Sequence, residues 1–210
     1  YIYAEYDRNK DESISEDILS YITSKNDKTT VSDYKNALVV KITQDVAKEL
    51  EEKQDIDMEE NQELQIATAT STYTAPNGKQ YEYIGIVNIP KLNITYPILS
   101  NTTDELMKVA PCKFHGSNPN EVGNLCIIAH NYRRKGVFFS DVPTLENGDI
   151  IEIQDLSQKT VQYEVYDVHT VSPDDTSDTT QKTDGRREVT LITCTNDSKE
   201  RVIVRCKEKV

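Results

Sequence analysis

Three residues of this chain combine useful chemistry with similar positions: His130, Cys194 and Arg201. Cys194 closes the apolar run E-V-T-L-I-T-C and is followed by the polar T-N-D-S-K-E. His130 closes N-L-C-I-I-A-H and is followed by N-Y-R-R-K-G, and Arg201 opens R-V-I-V-R-C directly behind the Cys194 loop. Cysteine catalysis of acyl transfer needs a thiolate, a proton carrier for the leaving amine and a donor that holds an oxyanion. Cys194, His130 and Arg201 supply those roles in that order. Each residue alone also has an ordinary use: a strand-end Cys is a small core residue, a His a satisfied polar group, a strand-start Arg a solvated charge. Their shared placement at strand–loop junctions points to nucleophilic catalysis.

The elements that must position them are short β-type runs broken by turn residues. Candidate strands cover 81–89, 94–99, 124–130, 149–154, 160–171, 188–194 and 201–206, with short helical pieces near 103–109 and 138–145. Many short strands with few helices indicate a barrel or sandwich. The polar segment 195–200 is a reversal that pairs the strands on either side, which makes Cys194 and Arg201 neighbours whatever the rest of the fold does. Cys126 stands four residues before His130 on one strand and shares its side.

Residues 1–78 have a different texture. Ser13 with Glu16 forms a capping-box pattern ahead of Ile14, Ile18, Leu19 and Ile22 at helical spacing. A second helix is expected from about Ser32, with Leu38, Ile42, Val46 and Leu50 on its apolar face, followed by an acidic run and a small-residue segment ending at Asn77-Gly78. The expected division is a helical extension and acidic linker over 1–78 and a catalytic β domain over 79–210.

With 210 residues and 36% apolar content the chain builds one modest core. A net charge of −12 and no long Lys/Arg block disfavour nucleic acid as a partner, and a pI near 4.7 disfavours charge-driven binding to anionic lipid. The four cysteines, 112, 126, 194 and 206, show no C-x-x-C and no zinc spacing. Cys112, Cys126 and Cys206 are expected to be reduced structural residues. No EF-hand pattern occurs, so no metal or other cofactor is expected. The opening Y-I-Y-A-E-Y fits an ordinary start of a helix or strand, although tyrosines also favour membrane boundaries.

T-L-I-T-C followed seven residues after the Cys by R-V-I-V-R resembles the active-site signature of the sortases, cysteine transpeptidases of Gram-positive surfaces. I-G-I-V-N-I-P-K-L-N-I-T-Y-P-I-L resembles the opening strands of that family's barrel. P-C-K-F-H-G-S-N-P-N-E-V-G-N with L-C-I-I-A-H-N resembles the segment leading to its catalytic His, and V-F-F-S-D-V-P-T-L-E-N-G-D-I-I-E-I the helix and turn after it. V-S-P-D-D-T-S resembles the entry to the loop before the catalytic strand. The resemblance spans about residues 81–207, and several ordered matches are far more specific than one T-L-x-T-C.

The resemblance implies a closed barrel of about eight strands, with Cys194 as nucleophile, His130 as general acid/base and Arg201 as oxyanion and substrate ligand. His115, placed in the loop before the active-site strand, and His169 match no catalytic position, and Arg205 is a weaker candidate than Arg201. Ala129 stands where the family mostly has Gly. The implied reaction cleaves a C-terminal sorting motif of secreted proteins at Thr, forms a thioacyl-enzyme and transfers the protein to an amine of a peptidoglycan precursor or a pilin lysine. Some relatives bind Ca²⁺ in loops, but no motif here supports it. The implied location is the outer face of a bacterial membrane, held by a segment N-terminal to Tyr1. The short 171–189 segment resembles the class A, C or D layout rather than class B, and no Asp-Pro-aromatic lid sequence occurs. With ordinary pKa values of about 8.5 for Cys and 6.5 for His, about 1% of molecules carry both thiolate and imidazolium near pH 7.5, and a bell-shaped rate profile is expected. The rival readings are a cysteine hydrolase with the same three side chains and little transpeptidation, and a non-catalytic surface-binding barrel.

Overall fold

A computed structural model describes residues 2–26 and 70–210. The chain divides into two compact units, Tyr1–Ile22 with Thr68–Val210, and Thr23–Ala67. The barrel and the candidate site belong to the first. The helix expected from Ser32 lies outside the described residues.

Among the described residues nine strands follow one helix: α1 (Ile2–Asn26), β1 (Ser71–Thr74), β2 (Gln80–Ile89), β3 (Ile94–Leu99), β4 (Cys112–His115), β5 (Gly123–Ile128), β6 (Ile150–Asp155), β7 (Thr160–Val171), β8 (Arg187–Cys194) and β9 (Arg201–Glu208). Eight of them close a barrel in the order β2-β3-β4-β5-β8-β9-β7-β6, with β6 returning to β2. Closure leaves no exposed edge around the ring. The β3–β4 and β5–β8 pairings are parallel and the others antiparallel. The long β2 is shared lengthwise: Gln80–Tyr83 pairs with β1, and Gly85–Asn88 pairs with β6. Gly85 permits that closure, because a Cβ there would collide with the Gln154 carbonyl oxygen.

Alternation sorts the strand residues into two faces. Leu125, Ile127 and Ala129 of β5 and the residue after it, Val189 and Leu191 of β8, and Val202, Val204 and Cys206 of β9 fill the interior with Phe138, Phe139 and Tyr163. Cys126, Ile192 and Ile203 form a separate cluster on the outer face, flanked by Ile128 and Val171.

The expected mostly β barrel is the observed one, and the strands from 81 onward fall within a residue or two of the sequence reading, with three corrections. First, α1 runs through Ser13 rather than starting there, because nothing between Tyr1 and Glu12 is Gly or Pro to stop it. Its Ile14, Ile18 and Ile22 are the apolar stripe read from the sequence, and they pack with Tyr81, Tyr83, Leu99, Val109 and Cys112 in one cluster. Second, β1 and β4 were not anticipated; each has four residues, and His115 lies in β4 rather than in a loop. Third, the helical pieces near 103–109 and 138–145 reduce to 3₁₀ turns at Leu106–Lys108 and Val142–Thr144.

Candidate active site

Strand register brings the three singled-out residues to one place. Cys194 and Arg201 are partners in the β8–β9 ladder, and the 195–200 reversal is closed by a hydrogen bond from Thr195 N–H to the Glu200 carbonyl of 3.0 Å. Parallel pairing of β5 with β8 matches Ile128 with Ile192. It continues past the end of β5: the Ala129 N–H donates to the Ile192 carbonyl at 3.1 Å, and the Thr193 hydroxyl donates to the Ala129 carbonyl at 2.9 Å. Continued by one residue, that register points His130 toward Cys194. Arg201 pairs with Cys194 from β9, and His130 follows two residues after the last β5–β8 pair, on the other side of β8.

All three leave the same surface. Ala129, Thr193 and Val202 are buried, and Ala129 and Val202 belong to the interior cluster. Alternation therefore directs His130, Cys194 and Arg201 outward, at the end of the strip floored by Cys126, Ile192 and Ile203. The three are half-buried. Among the described residues Arg201 makes no ion pair, which leaves its guanidinium available to a substrate oxygen.

Asn131 ties the His-bearing and Cys-bearing segments together. Its Nδ2 donates to the Cys194 carbonyl at 2.9 Å and to Asn196 Oδ1 at 3.1 Å, while its Oδ1 accepts from the Arg133 N–H at 2.9 Å. The loop behind it is rooted in aromatic rings. His130 stacks near Tyr132 with centroids 5.4 Å apart, Tyr132 near Phe138 at 5.5 Å, and Phe138 against Tyr96 at 5.1 Å. Phe138 holds φ +45°, a conformation that needs outside support. The Tyr96 hydroxyl provides it by accepting the Phe138 N–H at 3.1 Å.

Burial holds the His130 pKa below the ordinary imidazole value; Asp104 pulls it back up and Lys108 pushes it further down. The other three cysteines are fully buried. Cys112 and Cys126 are buried and pushed up to about 12 by desolvation, and Cys206 is raised still more by the same cause. All four cysteines are free, and Cys194 alone is not fully buried.

The remaining candidates go elsewhere. Arg205 faces outward on β9, but its guanidinium is bound to Glu188 at 3.0 Å and lies 3.8 Å from Asp178. His169 sits between Asp167 and Asp178, 3.0 Å from each. His115 is exposed in β4. Asp178 belongs to the β7–β8 connection, which is pinned over the outer face: Asn124 Nδ2 donates to the Asp178 carbonyl at 2.9 Å, and Gln181 Nε2 donates to the Asn124 carbonyl at 2.9 Å. These groups wall the strip that leads to Cys194. Among the described residues no group of three His, Cys, Asp or Glu side chains is arranged to hold a metal ion.

Sequence reasoning singled out His130, Cys194 and Arg201 and did not single out the residues packed around them. Asn131 was visible only as the residue after His130, and Asp104 and Lys108 lie in a loop distant in sequence. No local pattern reveals them.

Comparison with known proteins gives the same outline. The family model described as the sortase domain matches residues 87–209. A sortase A of Bacillus anthracis is 30% identical over 125 residues, 59% of this chain and 58% of that protein, so the match spans little more than half of the relative's length. A Clostridium perfringens sortase D5 transpeptidase superposes with a TM-score of 0.56 at 29% identity, covering 61% of this chain and 79% of that one. Clostridium perfringens sortase C, solved with the C-terminal cell wall sorting motif, superposes with a TM-score of 0.64 over 93% of this chain and 100% of that one; at 20% identity it speaks to the fold alone.

Proposed function

The chain belongs to the sortase family, and on that premise we propose that it is a cysteine transpeptidase acting on secreted proteins that carry a C-terminal sorting motif. The observation that carries the reading is the strand register: Cys194 pairs with Arg201, and the β5–β8 ladder ends two residues before His130 and Cys194.

In the first half-reaction the Cys194 thiolate attacks the carbonyl carbon of the motif's Thr. Negative charge moves to the carbonyl oxygen, where Arg201 donates hydrogen bonds. The C–N bond breaks, and the His130 imidazolium gives its proton to the leaving amine. The product is a thioester between Cys194 Sγ and the Thr carbonyl. In the second half-reaction an acceptor amine attacks that thioester, His130 takes the amine's proton, and the thiolate leaves. The acceptor is an amine of a peptidoglycan precursor or a pilin lysine. The reaction needs no metal or cofactor in this scheme. The same reading puts the protein on the outer face of the membrane, where such motifs emerge.

Both protein ligands of the transition state must be in the charged form at once. Desolvation of His130 lowers its imidazolium share at neutral pH, so the reactive ion pair is a small population.

The test is a ligation assay. Mixing the protein, a panel of fluorogenic sorting peptides and an amine such as triglycine should yield a peptide–amine conjugate. Cleavage without conjugate at any amine concentration would replace the transpeptidase by a hydrolase.

A further inference from the structure

The turn that follows His130 is clamped from another strand by a single hydroxyl. Tyr96 reaches it from β3. Its Oη donates to the Gly136 carbonyl at 3.2 Å and accepts the Phe138 N–H at 3.1 Å. The hydroxyl therefore holds the 136–138 backbone at two points, once as donor and once as acceptor. Burial raises the Tyr96 pKa above the ordinary phenol value, so the group stays protonated and keeps both bonds. Other bonds of this turn are local: Tyr132 N–H to Ser140 Oγ at 3.0 Å, Gly136 N–H to Asp141 Oδ2 at 2.6 Å, and Val137 N–H to the Arg134 carbonyl at 3.2 Å. They shape the turn, whereas Tyr96 fixes where the turn lies on the barrel.

The clamped residues lead straight to His130. The Phe139 N–H donates to the His130 carbonyl at 3.3 Å, and Asn131 bridges Phe138 in antiparallel fashion. The rings run the same way. Phe138 stands against both Tyr96 and Tyr132, and Tyr132 meets the His130 ring at an interplanar angle of 59°. Phe138 is the weak point of this chain. It is 1% exposed and sits at φ +45°, a region that an aromatic residue adopts only under constraint. Without the Tyr96 hydroxyl its buried N–H loses its partner, and the strain has a reason to relax.

We propose that Tyr96 is a positioning residue for proton transfer: its hydroxyl fixes the 136–138 turn and, through Phe138 and Tyr132, aims the His130 ring at the amine that leaves or enters at Cys194. The inference rests on the transpeptidase reading. Two substrates separate this role from plain stability. With an amide, the Cys194 sulfur bonds to the Thr carbonyl carbon, the C–N bond breaks, and the amine leaves with a proton from His130. With a thiophenyl ester of the same acyl peptide, the same bond to Cys194 forms, the old C–S bond breaks, and thiophenolate leaves with the electron pair and needs no proton. A misaimed His130 therefore slows the amide and spares the thioester.

The experiment uses the sorting peptide that acylates wild type fastest, once as the amide and once as the thiophenyl ester ending at its Thr. Tyr96→Phe removes the hydroxyl and keeps the ring. Tyr163→Phe is the control: it also loses a buried hydroxyl's hydrogen bond, to Asn120 at 3.1 Å, but Tyr163 pairs with Glu208 at the barrel end away from Cys194. Tyr96→Phe should lower kcat on the amide by about tenfold with little change in KM, the scale set by two hydrogen bonds that act through the His130 ring. On the thioester it should stay within about twofold of wild type. Tyr163→Phe should treat the two substrates alike. Equal loss on both substrates in Tyr96→Phe, or no loss on either, overturns the proposal and leaves the transpeptidase reading standing. Tyr132→Leu cuts the ring chain next to His130 at a half-buried position and should show the same amide-selective loss. If Tyr96→Phe does not fold, equal loss on both substrates in Tyr132→Leu overturns the proposal instead. If wild type does not cleave the amide, the transpeptidase reading fails, and Tyr96 is judged by the ring proton resonances of His130. A shift in Tyr96→Phe that is absent from Tyr163→Phe keeps Tyr96 as the residue that orients His130; unchanged resonances remove it.

Discussion

Asn131 supplies the sharpest test of how the site is assembled. Its side-chain amide makes two hydrogen bonds to the Cys194 segment, one to a backbone carbonyl at 2.9 Å and one to Asn196 at 3.1 Å. A net hydrogen bond contributes about 0.5–1.5 kcal/mol, and the second of these is exposed and counts toward the low end. Removing both in Asn131→Ala should therefore cost about 1–2 kcal/mol of alignment between Cys194 and His130. Expressed in the transition state, that is a loss of about 5- to 30-fold in kcat/KM. Asn131→Asp keeps the acceptor for the Arg133 N–H but loses the donor, and it places a negative charge against the Cys194 carbonyl, so it should be at least as impaired. The assay is peptide cleavage under kcat/KM conditions, paired with the rate of Cys194 alkylation by a small neutral reagent. Alkylation should change far less than cleavage, because it needs the thiolate but not the His130 geometry. Full activity of Asn131→Ala, within twofold of wild type, would refute the claim that this amide sets the register of the two catalytic segments.

Four further outcomes follow from the structure. If the active form carries thiolate and imidazolium together, the acid limb of the kcat/KM profile tracks His130 and lies below the ordinary imidazole value, since burial lowers it. Asp104→Asn removes a group that raises His130, so the acid limb should move to lower pH and the plateau should fall by about tenfold for each pH unit of movement; Lys108→Gln should do the reverse, and a fixed limb in both variants would refute the assignment. Arg201→Ala should abolish cleavage while leaving the melting temperature near wild type, whereas Arg205→Met should destabilise by about 3–5 kcal/mol in urea titration, because it leaves the buried Glu188 carboxylate uncompensated. Ile18→Ala should cost about 2–5 kcal/mol, because this side chain is fully buried between α1 and the barrel; a cost under 1 kcal/mol would mean that the helix does not dock there in solution.

The parts of this architecture legible in the sequence are those governed by short-range pattern. Alternation and turn residues marked β2, β3 and β5–β9, and a six-residue reversal made Cys194 and Arg201 neighbours before any fold was known. Ile14, Ile18 and Ile22 announced the buried face of α1, although the helix start was misjudged because a capping-box pattern has no force inside a helix that nothing interrupts. β1 and β4 escaped because four residues carry too little alternation to register; β1, S-T-Y-T, is held by its backbone pairing with β2. The neighbour relation of His130 and Cys194 was beyond local reading. It depends on a parallel pairing between strands more than sixty residues apart, and the family resemblance rather than spacing anticipated it.

The most direct test of the central claim is intact-protein mass spectrometry after brief exposure to sorting peptides, with Cys194→Ala alongside. The account predicts a wild-type adduct whose mass equals the peptide truncated after Thr, released by hydroxylamine or an added amine and absent from the variant. An inert Cys194 that forms no adduct and resists alkylation, in protein that melts cooperatively, would contradict it and make Cys194 a structural thiol.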